Sequence, residues 1–468
     1  MPNYGKDLPV LNCLKNFYKE PPCAEPLQNK IKIDKTYARW RMRIFLSMFF
    51  GYIVFYLCRK NIAVALPSIQ QDLGFSNTEL GLLGSALYLT YAFGKFINGV
   101  IADNTNAKRV LPTALFISAL ANLLFVFCAD FISPSLQVWK FPVLLYSMAF
   151  FWGLNGWFQS MGFPPIAKNL SYWFSNKERG IKWSLWSSSH EIGTYLSVIF
   201  SGWLITKYGW QSAFYVPAVF AMIFCWFFYK NLQDKPSSIG LPDIEKYKDP
   251  DYVEPQPEQT SCDENAHMSY FEIFVKYILK NPMVWLLALA YVFVYVVRYG
   301  TIDWITKYLV DVRGLQLADA SNRLSFLPLV GVIGTIGAGV VSDILFKGKR
   351  APVNILCLSL LALSIVLFKF YSTSLSDYIY ISCIGIFTCG PQVLIGGLSA
   401  VESSSKKVAS AVTGFCGMFG YIGAVISGAG TGFIIDKYSW DGAFVLWFVS
   451  ALIALSICVI LLRKESKK

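Results

Sequence analysis

Long apolar runs separated by short polar segments dominate the chain. Hydropathy predicts twelve such runs, each long enough for a membrane-spanning helix, which needs about 20 residues. Because lipid offers backbone groups no hydrogen-bond partners, only helices and closed barrels cross it, and runs of this length predict helices. The predicted spans are residues 44–66, 79–102, 110–130, 141–166, 183–205, 210–229, 283–308, 321–342, 352–371, 378–400, 408–432 and 441–462.

The predicted spans form two groups of six around one polar segment that is rich in Pro, Asp and Glu. The first 40 residues are polar and lack the apolar stretch of a secretory signal. We therefore expect an all-α membrane protein with twelve transmembrane helices in two pseudo-symmetric six-helix bundles. Its predicted parts are an N-terminal tail (1–43), a first bundle (44–229), a linker (230–282), a second bundle (283–462) and a C-terminal tail (463–468).

Composition and charge agree with this architecture. Charged residues make up 15% of the chain and hydrophobic residues 55%, whereas a soluble protein has about 25% charged residues. Of the 41 lysines and arginines, 30 lie on one side of the predicted spans, 7 lie at or beyond the span ends on the other side and 4 lie deep inside spans. The positive-inside rule then places both termini and the linker in the cytoplasm. The net charge of +12 thus predicts topology in a lipid bilayer and no nucleic-acid partner.

The 11 cysteines lie mostly in apolar runs and form no CxxC motif, so we predict no disulfide, no metal site and no cofactor. The glycines from Gly331 to Gly339 resemble a dinucleotide loop in spacing. They lie inside a predicted span with no strand before them, and close helix packing is the better interpretation.

A Gly-x-x-x-Asp motif recurs in the two halves. It ends at Asp103 in the first half and at Asp343 in the second, 240 residues later, and basic residues follow each copy, among them Arg109 and Arg350. Matching halves are typical of transporters built from internal repeats, with the binding site at the interface between them. We expect these four residues to make gating or helix-end contacts.

Four cations lie deep inside predicted spans, more than five residues from either end: Arg59, Lys60, Lys95 and Arg298. Each costs roughly 2.5–3.5 kcal/mol at the centre of a membrane, so we expect them to face a wet cavity that an anion visits. Arg59 and Arg298 are 239 residues apart, in equivalent positions of the two halves. Three alternatives stay open: Arg59 extends to the membrane surface, Lys60 is structural, or Lys95 pairs with an acid such as Glu191.

Helical spacing places tyrosines on the same face as three of these cations, whereas Lys60 projects about 100° away from Arg59. Phenol groups donate hydrogen bonds to phosphate and stack on guanidinium groups or sugar rings. The tyrosines are Tyr52 and Tyr56 for Arg59, Tyr91 for Lys95 and Tyr295 for Arg298.

Several of these segments carry a family resemblance. The Gly-x-x-x-Asp loops resemble those of the major facilitator superfamily. Within it, residues 51–61, 91–96, 177–180 and 295–299 resemble the organophosphate:phosphate antiporters, and residues 276–282, 297–298 and 389–396 resemble their bacterial hexose-phosphate transporter and sensor branch. The likeness covers all twelve predicted spans.

The resemblance implies a monomeric, multi-pass protein of the bacterial cytoplasmic membrane that exchanges a sugar phosphate, such as hexose 6-phosphate, for inorganic phosphate. Arg59 and Arg298 match the family's two phosphate-binding arginines, and Lys95 and His190 match positions near the substrate. Arginine suits phosphate because its planar fork binds two oxygens and stays charged. Glu191 departs from the asparagine expected there, and its carboxylate would repel phosphate or pair with Lys95.

An empty cavity with uncompensated positive charge resists closure without an anion, which predicts coupled exchange. No enzyme motif is evident. One alternative is a receptor that binds external sugar phosphate and signals to a kinase partner, and another is a glycerol-3-phosphate antiporter of the same family. A proton-coupled carrier would need a buried carboxylate, for which only Glu191 and Asp303 qualify.

Overall fold

The structure, a computed structural model, describes residues 16–103, 105–138, 141–249, 279–400 and 409–465. In the first half the helices are α1 (Lys30–Leu73), α2 (Asn77–Asp103), α3 (Ala107–Phe131), α4 (Val143–Ser160), α5 (Phe163–Trp173), α6 (Asn176–Tyr208) and α7 (Ser212–Asn231). The short α8 (Ile244–Lys248) follows in the linker. A two-residue hairpin, β1 (Gln137–Val138) with β2 (Phe141–Pro142), precedes α4.

The second half repeats this helical layout. Its helices are α9 (Pro282–Asp311), α10 (Leu317–Ile344), α11 (Ala351–Phe370), α12 (Ser376–Val393), α13 (Ala409–Val425) and α14 (Thr431–Glu465). The π-helical turns Leu394–Ser399 and Ile426–Gly430 continue α12 and α13. Ser439, with φ of 59°, interrupts α14 and separates two predicted spans.

Within the described residues, eight helical segments are long and apolar enough to cross a membrane. The last of them, Val412–Lys464, contains two predicted spans. Helices α2, α4 and α6 occupy the remaining three. The prediction of an all-α membrane protein with twelve spanning segments is confirmed.

Two boundaries differ from those predicted. Helix α1 begins at Lys30, well before the apolar run, where the Asn29 side chain accepts a hydrogen bond from the Lys32 amide. The fourth predicted span divides into α4 and α5, because Pro164 and Pro165 cannot donate the backbone hydrogen bonds of a continuous helix. Prolines are tolerated in the first turn of a new helix, which is where α5 places them.

The same helix pairs pack together in both halves. In the first half α2 packs against α4, α1 against α6 and α3 against α7; in the second, α10 packs against α12, α9 against α13 and α11 against α14. The halves meet chiefly along four helix pairs: α1 with α9, α6 with α10, α2 with α13, and α2 with α14. Side chains of α1, α2 and α6 from the first half and of α9, α10, α13 and α14 from the second therefore reach the interface.

The halves are joined tightly at the distal end, which we define as the end where α1 stops and α2 begins. There Asp436 of the second half accepts hydrogen bonds from the backbone amides and side chains of Asn77 and Thr78. An added Cβ on Gly81 would lie 2.3 Å from the carbonyl oxygen of Gly428. Only glycine permits this approach of the two backbones.

The described part of the N-terminal tail packs on the opposite end of the first half. Lys168 contacts the carboxylates of Glu20 (2.6 Å) and Asp234 (3.4 Å), and Lys235 lies 2.8 Å from Glu20. Burial alone would raise the pKa of Glu20, but the two lysines lower it below its ordinary value. Burial raises the pKa of Asp234, although the Ala107 amide and Lys168 oppose this effect.

Glycines of α10 pack closely against α12, as the sequence predicts. A Cβ on Gly331 would lie 2.8 Å from Cys389 Sγ, and one on Gly334 would lie 2.1 Å from the Ile386 carbonyl oxygen. A Cβ on Gly337 or Gly339 would meet nothing within 4 Å. The packing interpretation is confirmed for Gly331 and Gly334 and does not extend to Gly337 or Gly339.

Candidate functional site

The four cations inside the spans lie on helices that form the interface between the halves. Arg59 and Lys60 are on α1, Lys95 is on α2 and Arg298 is on α9. The first two are 3% exposed and Arg298 is 7% exposed. Their contacts, described below, cross from one half to the other.

Arg59 is surrounded by tyrosines. Its Nη2 donates a hydrogen bond to Tyr421 Oη of the second half at 3.1 Å. Its guanidinium lies 4.3 Å from the ring centre of Tyr91 and 5.3 Å from that of Tyr56. Such contacts stabilise a cation through the negative face of each ring. The guanidinium is thus held inside the protein rather than extended to the membrane surface.

Arg298 contacts an acid from the other half. Its Nη2 donates to Glu191 Oε1 at 2.7 Å, and its Nη1 donates to Cys389 Sγ at 2.8 Å. His190 Nε2 lies 3.2 Å from the same glutamate oxygen. The other oxygen, Oε2, is buried with no hydrogen-bond partner among the described residues. The sequence suggested Lys95 as a partner of Glu191; the structure pairs this carboxylate with Arg298.

Lys60 makes the second ion pair between the halves. Its Nζ lies 2.9 Å from Asp303 Oδ1 and 2.9 Å from Tyr88 Oη, and 4.5 Å from the ring centre of Tyr299. Helical spacing along α1 assigned Lys60 no tyrosine. The structure supplies two, because α2 and α9 bring them from other parts of the chain.

Lys95 lies next to α13. Its Nζ is 5.6 Å from the ring centre of Tyr421 and 5.8 Å from that of Phe163. A Cβ on Gly417 would lie 3.0 Å from this Nζ, so a glycine leaves room for the lysine. Tyr421 therefore lies between two cations of the first half, Arg59 and Lys95.

The remaining predicted tyrosines extend this cluster. Tyr52 packs on Tyr56 with ring centres 5.4 Å apart, and the Tyr56 ring lies 6.0 Å from that of His190. The ring of Tyr295 lies 5.6 Å from that of Tyr421. A continuous series of contacts thus leads from Arg59 through Tyr56 and His190 to Glu191 and Arg298.

Besides Tyr88 and Tyr299, two more residues of this cluster, Tyr421 and Cys389, were missed in the sequence. Tyr421 lies four residues after Gly417, so both occupy one face of α13, and a tyrosine on a glycine-rich helix face was the available signal. Cys389 belonged to a segment noted only for its family resemblance. Neither contact could be read from hydropathy, since both depend on how α12 and α13 pack.

The two carboxylates that pair with these cations within the described residues are Glu191 and Asp303. They offset the charges of Arg298 and Lys60. The formal charge of the cluster, taken over these six side chains, is then +2. A dianion would neutralise it, and a low-dielectric surround makes such neutralisation strongly favourable.

The repeated loop residues lie outside this cluster. Arg350 pairs with Asp343 within the second half, and Arg109 donates to the backbone carbonyl of Phe17 in the tail. The side chain of Asp103 lies outside the described part of the structure. The contacts of Arg350 and Arg109 are helix-end contacts; a gating role stays a prediction.

Two packed helical halves with buried cations and tyrosines at their interface define a multi-pass membrane protein of the secondary-transporter type. The Major Facilitator Superfamily model matches residues 48–428. The chain belongs to this superfamily.

Several relatives match nearly the whole chain, among them the three that follow. A probable hexose phosphate transport protein of Chlamydia muridarum is 37% identical over 95% of this chain and 96% of its own length. A glycerol-3-phosphate transporter of Bacillus subtilis is 36% identical over 94% and 96%. The membrane sensor protein UhpC of Escherichia coli is 34% identical over 97% and 99%. These relatives are transporters and a sensor, and none is named as an enzyme.

Proposed function

We propose that the protein carries a phosphorylated small metabolite, a hexose 6-phosphate in the first instance, across the bacterial cytoplasmic membrane in exchange for inorganic phosphate. It works as a monomer, with both termini in the cytoplasm and without chemical change to the substrate. One observation carries the proposal: each half contributes a buried arginine, Arg59 or Arg298, whose contacts reach into the other half.

The phosphate binds between the two arginines because each presents a planar fork of donors to phosphate oxygens. Lys95 adds a third positive charge, and its neighbour Tyr421 already accepts a hydrogen bond from Arg59. The phenol of Tyr56 and the imidazole of His190 donate to the phosphate or stack on the sugar. A dianion matches the formal charge of the cluster, which supports phosphate as the group recognised.

Exchange follows from the charge that stays uncompensated. Among the described residues, Arg59 and Lys95 have no carboxylate partner in the cluster. Moving the halves past each other with these two charges exposed to a low-dielectric surround is unfavourable. A bound phosphate removes this cost in either direction, so loaded carriers change conformation faster than empty ones.

The test is uptake by purified protein in vesicles. Vesicles loaded with inorganic phosphate should accumulate labelled glucose 6-phosphate much faster than vesicles without it. Phosphorylated sugars, glycerol 3-phosphate and phosphoglycerate are then tested as competitors of this uptake, and the order of their potency defines the substrate. Arg59→Lys and Arg298→Lys should each abolish exchange in a folded protein, since an ammonium lacks the fork. Near-normal exchange in either variant would refute the assigned roles.

A second candidate is a receptor, which the likeness to the sensor protein UhpC over 97% of the chain favours. In that case the same site binds external sugar phosphate and the protein signals to a kinase partner. The two functions differ in flux. A receptor binds glucose 6-phosphate through the same two arginines but gives little uptake in phosphate-loaded vesicles.

A further inference from the structure

A carboxylate occupies the position on Arg298 where a substrate phosphate would bind. Glu191 Oε1 lies 2.7 Å from Arg298 Nη2, and the two side chains are 2% and 8% exposed. The pair joins α6 of the first half to α9 of the second. A bridging phosphate would join the same two halves, so the glutamate supplies the contact that a substrate would otherwise make.

The carboxylate is held through one of its two oxygens. Three groups surround Glu191 Oε1: Arg298 Nη2 at 2.7 Å, His190 Nε2 at 3.2 Å and Cys389 Sγ at 3.6 Å. Oε2 is buried and has no hydrogen-bond partner among the described residues. A group with half of its acceptors unused is easily displaced by a phosphate, which offers more oxygens to the same donors.

We propose that Glu191 is a resident counter-anion that replaces the substrate phosphate on Arg298 in the empty carrier, so that the protein catalyses net transport of phosphate compounds as well as exchange. This inference rests on the proposed function. With Glu191 in place, two of the cations lack a carboxylate among the described residues; without it, Arg298 would be a third. The glutamate therefore reduces the electrostatic cost of the conformational change of the empty carrier. Influx of one phosphate compound is then only partly coupled to efflux of another.

The experiment compares net uptake with exchange in the same preparation. Labelled inorganic phosphate is supplied outside vesicles that contain either unlabelled phosphate or a phosphate-free chloride buffer. Potassium and valinomycin dissipate the membrane potential. The variants are wild type, Glu191→Gln and Glu79→Gln. The last is a control in which a half-buried acid at the start of α2, outside the cluster, is neutralised. The quantity compared is the ratio of net uptake to exchange.

We expect wild type and Glu79→Gln to show the same ratio, about a tenth or more, and Glu191→Gln to lower it at least about tenfold, since the empty carrier loses its counter-anion. A wild-type ratio at the background of protein-free vesicles overturns the inference, as does an unchanged ratio in Glu191→Gln. Failure of exchange itself in the wild type would instead refute the proposed function.

Binding gives a second readout that does not depend on transport. If Glu191 occupies Arg298 in about nine-tenths of empty carriers, its removal should strengthen binding of inorganic phosphate about tenfold, because the competent fraction rises. Binding in detergent that is no tighter in Glu191→Gln contradicts the competition. Size-exclusion chromatography checks folding, and Glu191→Asn replaces Glu191→Gln if the latter is not monodisperse.

Discussion

Replacing Asp303 with asparagine should leave Lys60 as a buried ammonium group without a carboxylate. Lys60 Nζ lies 2.9 Å from Asp303 Oδ1, and the two side chains are 4% and 13% exposed. At this distance and an effective dielectric constant of about 20, the attraction is about 6 kcal/mol, much of which offsets the cost of desolvating both groups. Loss of one partner from a buried pair costs about 3–5 kcal/mol.

We therefore expect Asp303→Asn to lower the midpoint of thermal unfolding in detergent by several degrees, followed through tryptophan fluorescence. Asp319→Asn is the matched control, because Asp319 is exposed in the first turn of α10 and its charge contributes about 1 kcal/mol or less. The double variant Lys60→Met with Asp303→Leu removes both charges and should recover most of the stability.

Two results would refute this reasoning. One is that Asp303→Asn is as stable as Asp319→Asn. The other is that the double variant loses as much stability as the single variants Lys60→Met and Asp303→Leu lose in sum, which would mean that the two charges do not interact. The double variant also addresses the role of Lys60, which the sequence left open. Exchange that survives in a stable double variant makes Lys60 structural, whereas its loss assigns Lys60 a contact with substrate.

Three further predictions concern the distal end, the tyrosine cluster and the tail. Gly81→Ala should reduce exchange at least about tenfold by blocking closure of the distal end, whereas Gly84→Ala, whose Cβ meets nothing within 4 Å, should stay near wild type. Tyr421→Phe should raise the KM for phosphate about tenfold, since Arg59 loses a charge-assisted hydrogen bond. Tyr308→Phe, away from the site, is the control and should leave the KM unchanged. An unchanged KM in Tyr421→Phe would contradict the prediction. The lowered pKa of Glu20 means that its contribution to tail docking is present above the ordinary carboxyl pKa and is lost as the pH falls through the lowered value. A nitroxide on Cys23, the only cysteine retained, should therefore become more mobile below about pH 4, and constant mobility would refute the ion-pair account.

The sequence by itself determined the class of fold and most members of the site. Membrane spans follow from local hydropathy, because each run of about 20 apolar residues satisfies its own backbone as a helix whatever its neighbours are. The same local rule makes Arg59, Lys95 and Arg298 conspicuous, since a cation inside an apolar run is costly. The break between α4 and α5 is also encoded locally, by Pro164 and Pro165. Hydropathy does not show it, because the apolar run continues across it.

Only the tertiary structure decided which groups meet. One alternative from the sequence paired Glu191 with Lys95, yet Glu191 pairs with Arg298, and Asp303 pairs with Lys60. Tyr421 became part of the site through the packing of α13 against α2. These partners are more than 100 residues apart in sequence, so their distances depend on how the helices rotate and pack. Hydropathy and spacing along one helix contain no information about that arrangement.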